Sequence, residues 1–136
     1  MMKEIFGEFL GTLLLLLLGN GVVAGVVLPK TKSHNSGWIV ITMGWGIAVA
    51  IAAFVSGNLG PAHLNPALTI GVALKGDLPW ASVPPYILAQ FAGAMVGQFL
   101  VFLQFKPHYL AEENPANVLG TFSTGPAIKD TFSNLI

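Results

Sequence analysis

The stretch "AHLNPALTIG", residues 62–71, decides how this chain reads. Asn65 is a preferred helix N-cap, and Pro66 is favoured at the first helical position, where its missing N–H costs nothing. A helix over residues 65–75 is therefore well started, yet at 1.5 Å per residue it reaches only about 16 Å, roughly half a hydrocarbon core. It cannot span. Before it, "SGNLGP" (56–61) reads as irregular backbone, which membrane depth tolerates only where protein buries it or water lines it. The economical arrangement is a re-entrant loop that dips in, turns near the midplane and returns as a half-helix. The competing arrangement, a short amphipathic helix lying on the surface, needs a basic polar face that residues 64–74 lack.

Composition supports a membrane setting. Of 136 residues, 54% are hydrophobic and 9% charged, and the mean hydropathy is +0.72, more apolar than a globular surface allows. Six lysines, no arginine and six acidic residues balance to zero, so no basic face exists to hold nucleic acid. The absence of cysteine excludes disulfides and thiolate metal sites. Residues 5–28, 38–55 and 85–105 are each long and apolar enough to cross a core of about 30 Å. The first holds one charge, Glu8, and the others none. A cleaved leader over residues 1–24 is disfavoured, because Glu8 interrupts the apolar run, no small-x-small cleavage site follows, and apolar character continues to Leu28. Residues 29–37 form a polar connection dense in turn formers, and residues 75–80 a polar turn ending on the interfacial aromatic Trp80. Residues 106–136 make a tail containing "GTFSTGP" (120–126) and ending in "DTFSNLI" (130–136), the expected start of a fourth span.

Small residues recur at helical spacing in Gly7 and Gly11, Gly21 and Gly25, and Ala89, Gly93 and Gly97, which predicts close approach of helix backbones. Lys3 and Lys75 fall on one side and Lys30, Lys32, Lys106 and Lys129 on the other, a count that by itself favours an outside N-terminus. The half-helix would aim roughly half a positive charge at the bilayer centre. Preceding carbonyls supply acceptors and the Asn65 amide supplies donors, together a path for neutral hydrogen-bonding solutes that resists cations and protons. No paired, pocket-like carboxylates, phosphate-cradling glycine loop or nucleophile motif occurs. No enzyme activity, cofactor or metal is expected.

With these residues in view, "SGNLGPAHLNPALTIG" (56–71) resembles the first half of the aquaporin and glycerol-facilitator (major intrinsic protein) family, whose signature is an Asn-Pro-Ala loop heading a half-helix, here Asn65, Pro66 and Ala67. Glu8 in "GEFLGT" (7–12) is similar to the family's first-helix glutamate, and Gln90 in "PPYILAQFAGA" (84–94) to its third-helix glutamine. Trp45 stands twenty residues before Asn65, where the family places an aromatic of its selectivity region. "GTFSTGP" resembles the extracellular loop after the third span.

The resemblance implies an all-α membrane protein: one aquaporin-like repeat of three transmembrane helices plus a re-entrant half-helix, with a fourth span starting at the C-terminus. It implies that the carbonyls of Pro61, Ala62 and His63 line a pore, that Asn65 donates, and that Trp45 is an apolar wall of the filter. Glu8 and Gln90 would be buried supports of the loop, since an intramembrane carboxylate needs partners. Read as residues alone, Glu8 could snorkel to an interface, Trp45 could pack or face lipid, and the His63 ring could simply brace the loop. His34 and His108 fall in polar connections and read as solvated. Pro61 stands where the family commonly has glycine, fixing φ near −65° while leaving its carbonyl free.

The family is built of two inverted repeats whose half-helices meet at the midplane, and one repeat is legible here. The expected protein is thus the N-terminal half of a passive channel for glycerol, small polyols and water, with Trp45 favouring glycerol. The alternative is a non-conducting truncated membrane protein that only associates with other channel subunits. The resemblance further implies a multi-pass protein of the cell membrane, a cytoplasmic N-terminus, contact with the lipid bilayer and a homotetramer at full length.

Overall fold

The computed structural model describes residues 1–136 as helices and their connections. In chain order these are α1 (Met2–Val27), α2 (Trp38–Gly57), α3 (Pro66–Lys75), a 3-10 turn (Trp80–Ser82), α4 (Val83–Leu110), α5 (Pro115–Gly120) and α6 (Thr131–Leu135). Three of them are long and apolar enough to cross a membrane: α1, α2, and α4 together with its leading turn. Pro84 and Pro85 fall in the first turn of α4, where a missing N–H is harmless.

Glycine decides how the three long helices meet. A Cβ on Gly93 would collide with the Phe9 carbonyl oxygen, and one on Gly97 would lie 2.5 Å from that of Leu13. The backbones of α1 and α4 therefore touch, which in lipid supplies the packing that water exclusion supplies elsewhere. Contact positions rise together along both helices, so α1 and α4 run parallel. Against α2 they fall in opposite order: Gly7 meets Ser56, Gly19 meets Trp45 and Gly44 meets Val22, so α2 returns antiparallel. Ser56 closes the near end of that pair by donating to the Gly7 carbonyl at 2.8 Å.

Two expectations are corrected. The Gly21 and Gly25 pair is no helix seam: nothing lies within 4 Å of where a Gly21 Cβ would stand, and Gly25 faces the loop residue Ser33. The seam residue at that level is Gly19, which spacing from Gly25 does not select. His108 is not a solvated loop residue. Helix α4 continues through Pro107 to Leu110, and the His108 ring lies half-buried with Nδ1 2.9 Å from the Pro29 carbonyl oxygen. Burial of Tyr109 beside Ala24, Leu28 and Val101 carries the helix past the proline. His34 is exposed.

The connection after α1 folds back onto its carbonyl end. Thr31 and Ser33 hydroxyls both donate to the Gly25 carbonyl, and the Asn35 N–H donates to that of Val26, filling acceptors a helix end leaves open. Beyond α4, Thr121 is wholly buried and bonds the Tyr109 hydroxyl at 2.7 Å, pinning α5 over the same end. Glu112 holds that turn: the Asn114 N–H and the Asn117 amide keep its carboxyl below the usual carboxylate range.

Candidate functional site

Glu8 is fully buried, so it does not reach for an interface. Its Oε1 accepts from the His63 N–H at 2.7 Å. Its Oε2 accepts from the Leu64 N–H at 2.7 Å and from Gln90 Nε2 at 2.8 Å. The same Gln90 nitrogen donates to Thr69 Oγ1 at 2.9 Å, tying α4 to α3 as well as to α1. One carboxylate thus fixes two successive backbone amides of an irregular segment.

That grip imposes an unusual backbone. Ala62 and Leu64 sit at φ 54° and 53°, in the left-handed region that side chains disfavour, at about 1 kcal/mol or more each. The alternation turns both amides to the Glu8 side. Peptide bonds here are trans, and in a planar trans peptide the carbonyl opposes the N–H, so the Ala62 and His63 carbonyls point away from Glu8. Neither they nor the Pro61 carbonyl accept a hydrogen bond from this chain. Pro61 is exposed and Ala62 half-buried.

At the end of this row, Asn65 adopts extended φ −154° and caps α3, its Oδ1 accepting from the Ala67 N–H at 2.8 Å. Its Nδ2 has no partner in the chain, and the residue is exposed. Pro66 occupies the first helical position, and Ala67 is exposed. Replacing Asn65 with alanine removes the cap and is expected to cost about 1 kcal/mol, read as a lower unfolding temperature in detergent with α3 fraying first. An unchanged unfolding temperature would count against the cap.

The His63 ring is a brace. Nδ1 lies 3.2 Å from Thr69 Oγ1, and the ring tilts against Tyr86 at 5.7 Å between centroids. Trp45 lies apart from the loop, eleven residues before Ser56 on α2 and so about 16 Å away along the helix. Its ring occupies the slot left by Gly19, where a Cβ would approach to 2.6 Å. There it lines a cavity of about 800 Å³ with Asn20, Val23 and Ile41 and with Asn117, Phe122 and Ser123 of the tail. The structure therefore gathers Glu8, Gln90 and residues 61–65 at one level and holds Trp45 at another.

Several participants are invisible to motif reading. Thr69 and Ser56 support the loop through their hydroxyls, Asn20 donates to Gln98 at 2.6 Å across α1 and α4, and Tyr86 donates to Glu4 at 2.9 Å. The available signal was spacing: Glu4 and Glu8 stand four apart, as do Tyr86 and Gln90, so each pair shares a helix face. No group of three or more His, Cys, Asp or Glu side chains is placed to hold a metal.

The sequence model described as major intrinsic protein matches residues 1–132. The chain belongs to the major intrinsic protein family. Among its relatives, the glycerol uptake facilitator protein of Streptococcus pneumoniae strain R6 is 84% identical over 136 residues, covering all of this chain and 58% of that protein. The probable glycerol uptake facilitator protein of Thermotoga maritima is 52% identical, over 99% of this chain and 58% of that protein. The chain thus spans 58% of the length of these relatives. In fold, it is similar to the X-ray structure of the aquaglyceroporin from Plasmodium falciparum, with a TM-score of 0.73 and 31% identity over 84% of this chain and 46% of that one. As a major intrinsic protein with three membrane-length apolar helices, it is a multi-pass integral membrane protein.

Proposed function

We propose that this chain supplies one wall of a passive path for glycerol and other small neutral solutes, water among them. The observation that carries the reading is the row of unpaired carbonyls at Pro61, Ala62 and His63, the last two turned outward by Glu8, leading to the free amide of Asn65. Successive acceptors replace the hydration of a hydroxyl-bearing solute step by step, and the amide at the half-helix end supplies a donor. The positive end of α3 disfavours cations at that point. Trp45 adds an apolar face for a carbon backbone, which favours glycerol over water alone, and the relatives named glycerol uptake facilitators agree with that solute. Permeation of this kind involves no bond making, nucleotide or metal. The complete channel is read as two such halves, assembled as a homotetramer.

A second reading, association without conduction, is favoured by one observation. Leu68 and Leu74 of α3 are 50% and 73% exposed, so the half-helix lacks a covering wall. Reconstitution into liposomes separates the two. Glycerol entry faster than into empty vesicles, followed by light scattering after an osmotic step, supports a path formed by this chain. Entry no faster than into empty vesicles, with chains still cross-linking to one another, supports association alone.

A further inference from the structure

The Glu8 cluster is one of two carboxylate ties between α1 and α4. One turn nearer the start of both helices, Tyr86 is buried to 2% exposure, yet its hydroxyl finds a partner in Glu4 Oε2 at 2.9 Å. The two ties have the same step, Glu4 to Glu8 and Tyr86 to Gln90, on helices that run parallel, so they form successive rungs on one face. Both rungs lead to the loop. The Tyr86 ring packs on the His63 ring, and the backbone and Cβ of Glu4 press on Gly60, where an added Cβ would meet them at 3.0 Å. His63 is thereby held on three sides, by Glu8 at its N–H, Thr69 at Nδ1 and Tyr86 at its ring.

We infer that Glu4 and Tyr86 are positioning residues for the carbonyl row: their hydrogen bond fixes the Tyr86 ring, which fixes His63 and with it the direction of the Ala62 and His63 carbonyls. Glu8 holds the amides of the segment from within the bundle, and the Glu4 to Tyr86 bond holds it from the side where the chain leaves α2. Glu4 remains partly exposed, with its side chain at 44%, so this rung borders water while the Glu8 rung does not. Glycine at position 60 is part of the device, because an added Cβ would crowd Glu4 and require it to give by a few tenths of an ångström.

The consequence for solutes rests on the path proposed above; the positioning itself does not, and is tested without transport. Amide hydrogen exchange of the 136-residue chain in detergent micelles reads the loop directly. Tyr86→Phe keeps the ring and loses the hydroxyl, and is expected to speed exchange at the His63 and Leu64 amides about fivefold, the effect of losing one such bond. Glu4→Ala is expected to match it, and the double variant to add little. Glu4→Gln keeps an acceptor oxygen for the tyrosine and is expected to restore exchange to near the parent rate. Unchanged exchange at these amides in Tyr86→Phe would overturn the inference. So would an equal acceleration at distant amides such as Val23 and Val101, or exchange in Glu4→Gln as fast as in Glu4→Ala. In the conducting protein, Tyr86→Phe is further expected to lower the ratio of glycerol to water permeability. Accelerated loop exchange with an unchanged ratio would locate the failure in the path, not in the positioning.

Discussion

Replacing Glu8 with alanine is expected to unmake the loop. Three donors lose their acceptor at once: the His63 and Leu64 amides and the Gln90 side chain. Each buried donor left without a partner costs about 1–3 kcal/mol, so the loss is on the order of 5 kcal/mol, comparable with the whole stability of many domains. The left-handed conformations of Ala62 and Leu64 then have nothing to hold them. The expected result is rapid hydrogen exchange and protease cleavage in residues 56–65, with loss of any glycerol flux the parent shows. Glu8→Gln is expected to fall between, since its amide keeps one acceptor oxygen but turns an NH₂ toward the donors that met the other. A Glu8→Ala protein whose loop stayed protected would remove the central support of the site.

The second large effect is expected at the helix seam. In Gly93→Ala, one methyl group meets the Phe9 carbonyl and main-chain atoms of Leu13, and backbone cannot rotate aside as a side chain can. The helices must part along their length, at a cost at or above the usual 1–3 kcal/mol of overpacking. Separation there also stretches the Glu8 to Gln90 bond three residues away, so loop exchange should rise with the loss of stability. Gly21→Ala is the internal control, because its Cβ would enter open space and alanine is favoured over glycine in a helix by about 1 kcal/mol. Unfolding in detergent should order the three proteins as Gly21→Ala, parent, Gly93→Ala. Parent-like stability in Gly93→Ala would show that α1 and α4 do not rest on each other's backbones.

Much of this was legible because the signals were local. Asn65 and Pro66 declare a helix start by their own chemistry, and an apolar run too short to span forces a re-entrant path. What escaped depended on partners far along the chain. Left-handed conformations at Ala62 and Leu64 carry no glycine to announce them, because Glu8 stabilises them from another helix. The choice of Gly19 over Gly21 depends on which face of α1 meets Trp45, and periodicity within α1 cannot know it. Pro107 reads as a stop, but Tyr109 has a buried place to reach beyond it. The Glu4 to Tyr86 rung joins two residues 82 apart, and neither belongs to any motif.

The distances along the chain between Glu8 and its partners also set an order of assembly. His63, Leu64 and Gln90 lie 55, 56 and 82 residues downstream of it. At a synthesis rate of about 5–20 residues per second, α1 waits roughly 4–16 s between its own emergence and that of Gln90. The His63 and Leu64 amides are made before Gln90, so until α4 arrives Glu8 has two of its three partners and the loop lacks the amide that joins it to α4. The arrival of α4 supplies the Gln90 amide and so completes the tie that joins the first helix, the loop and α4.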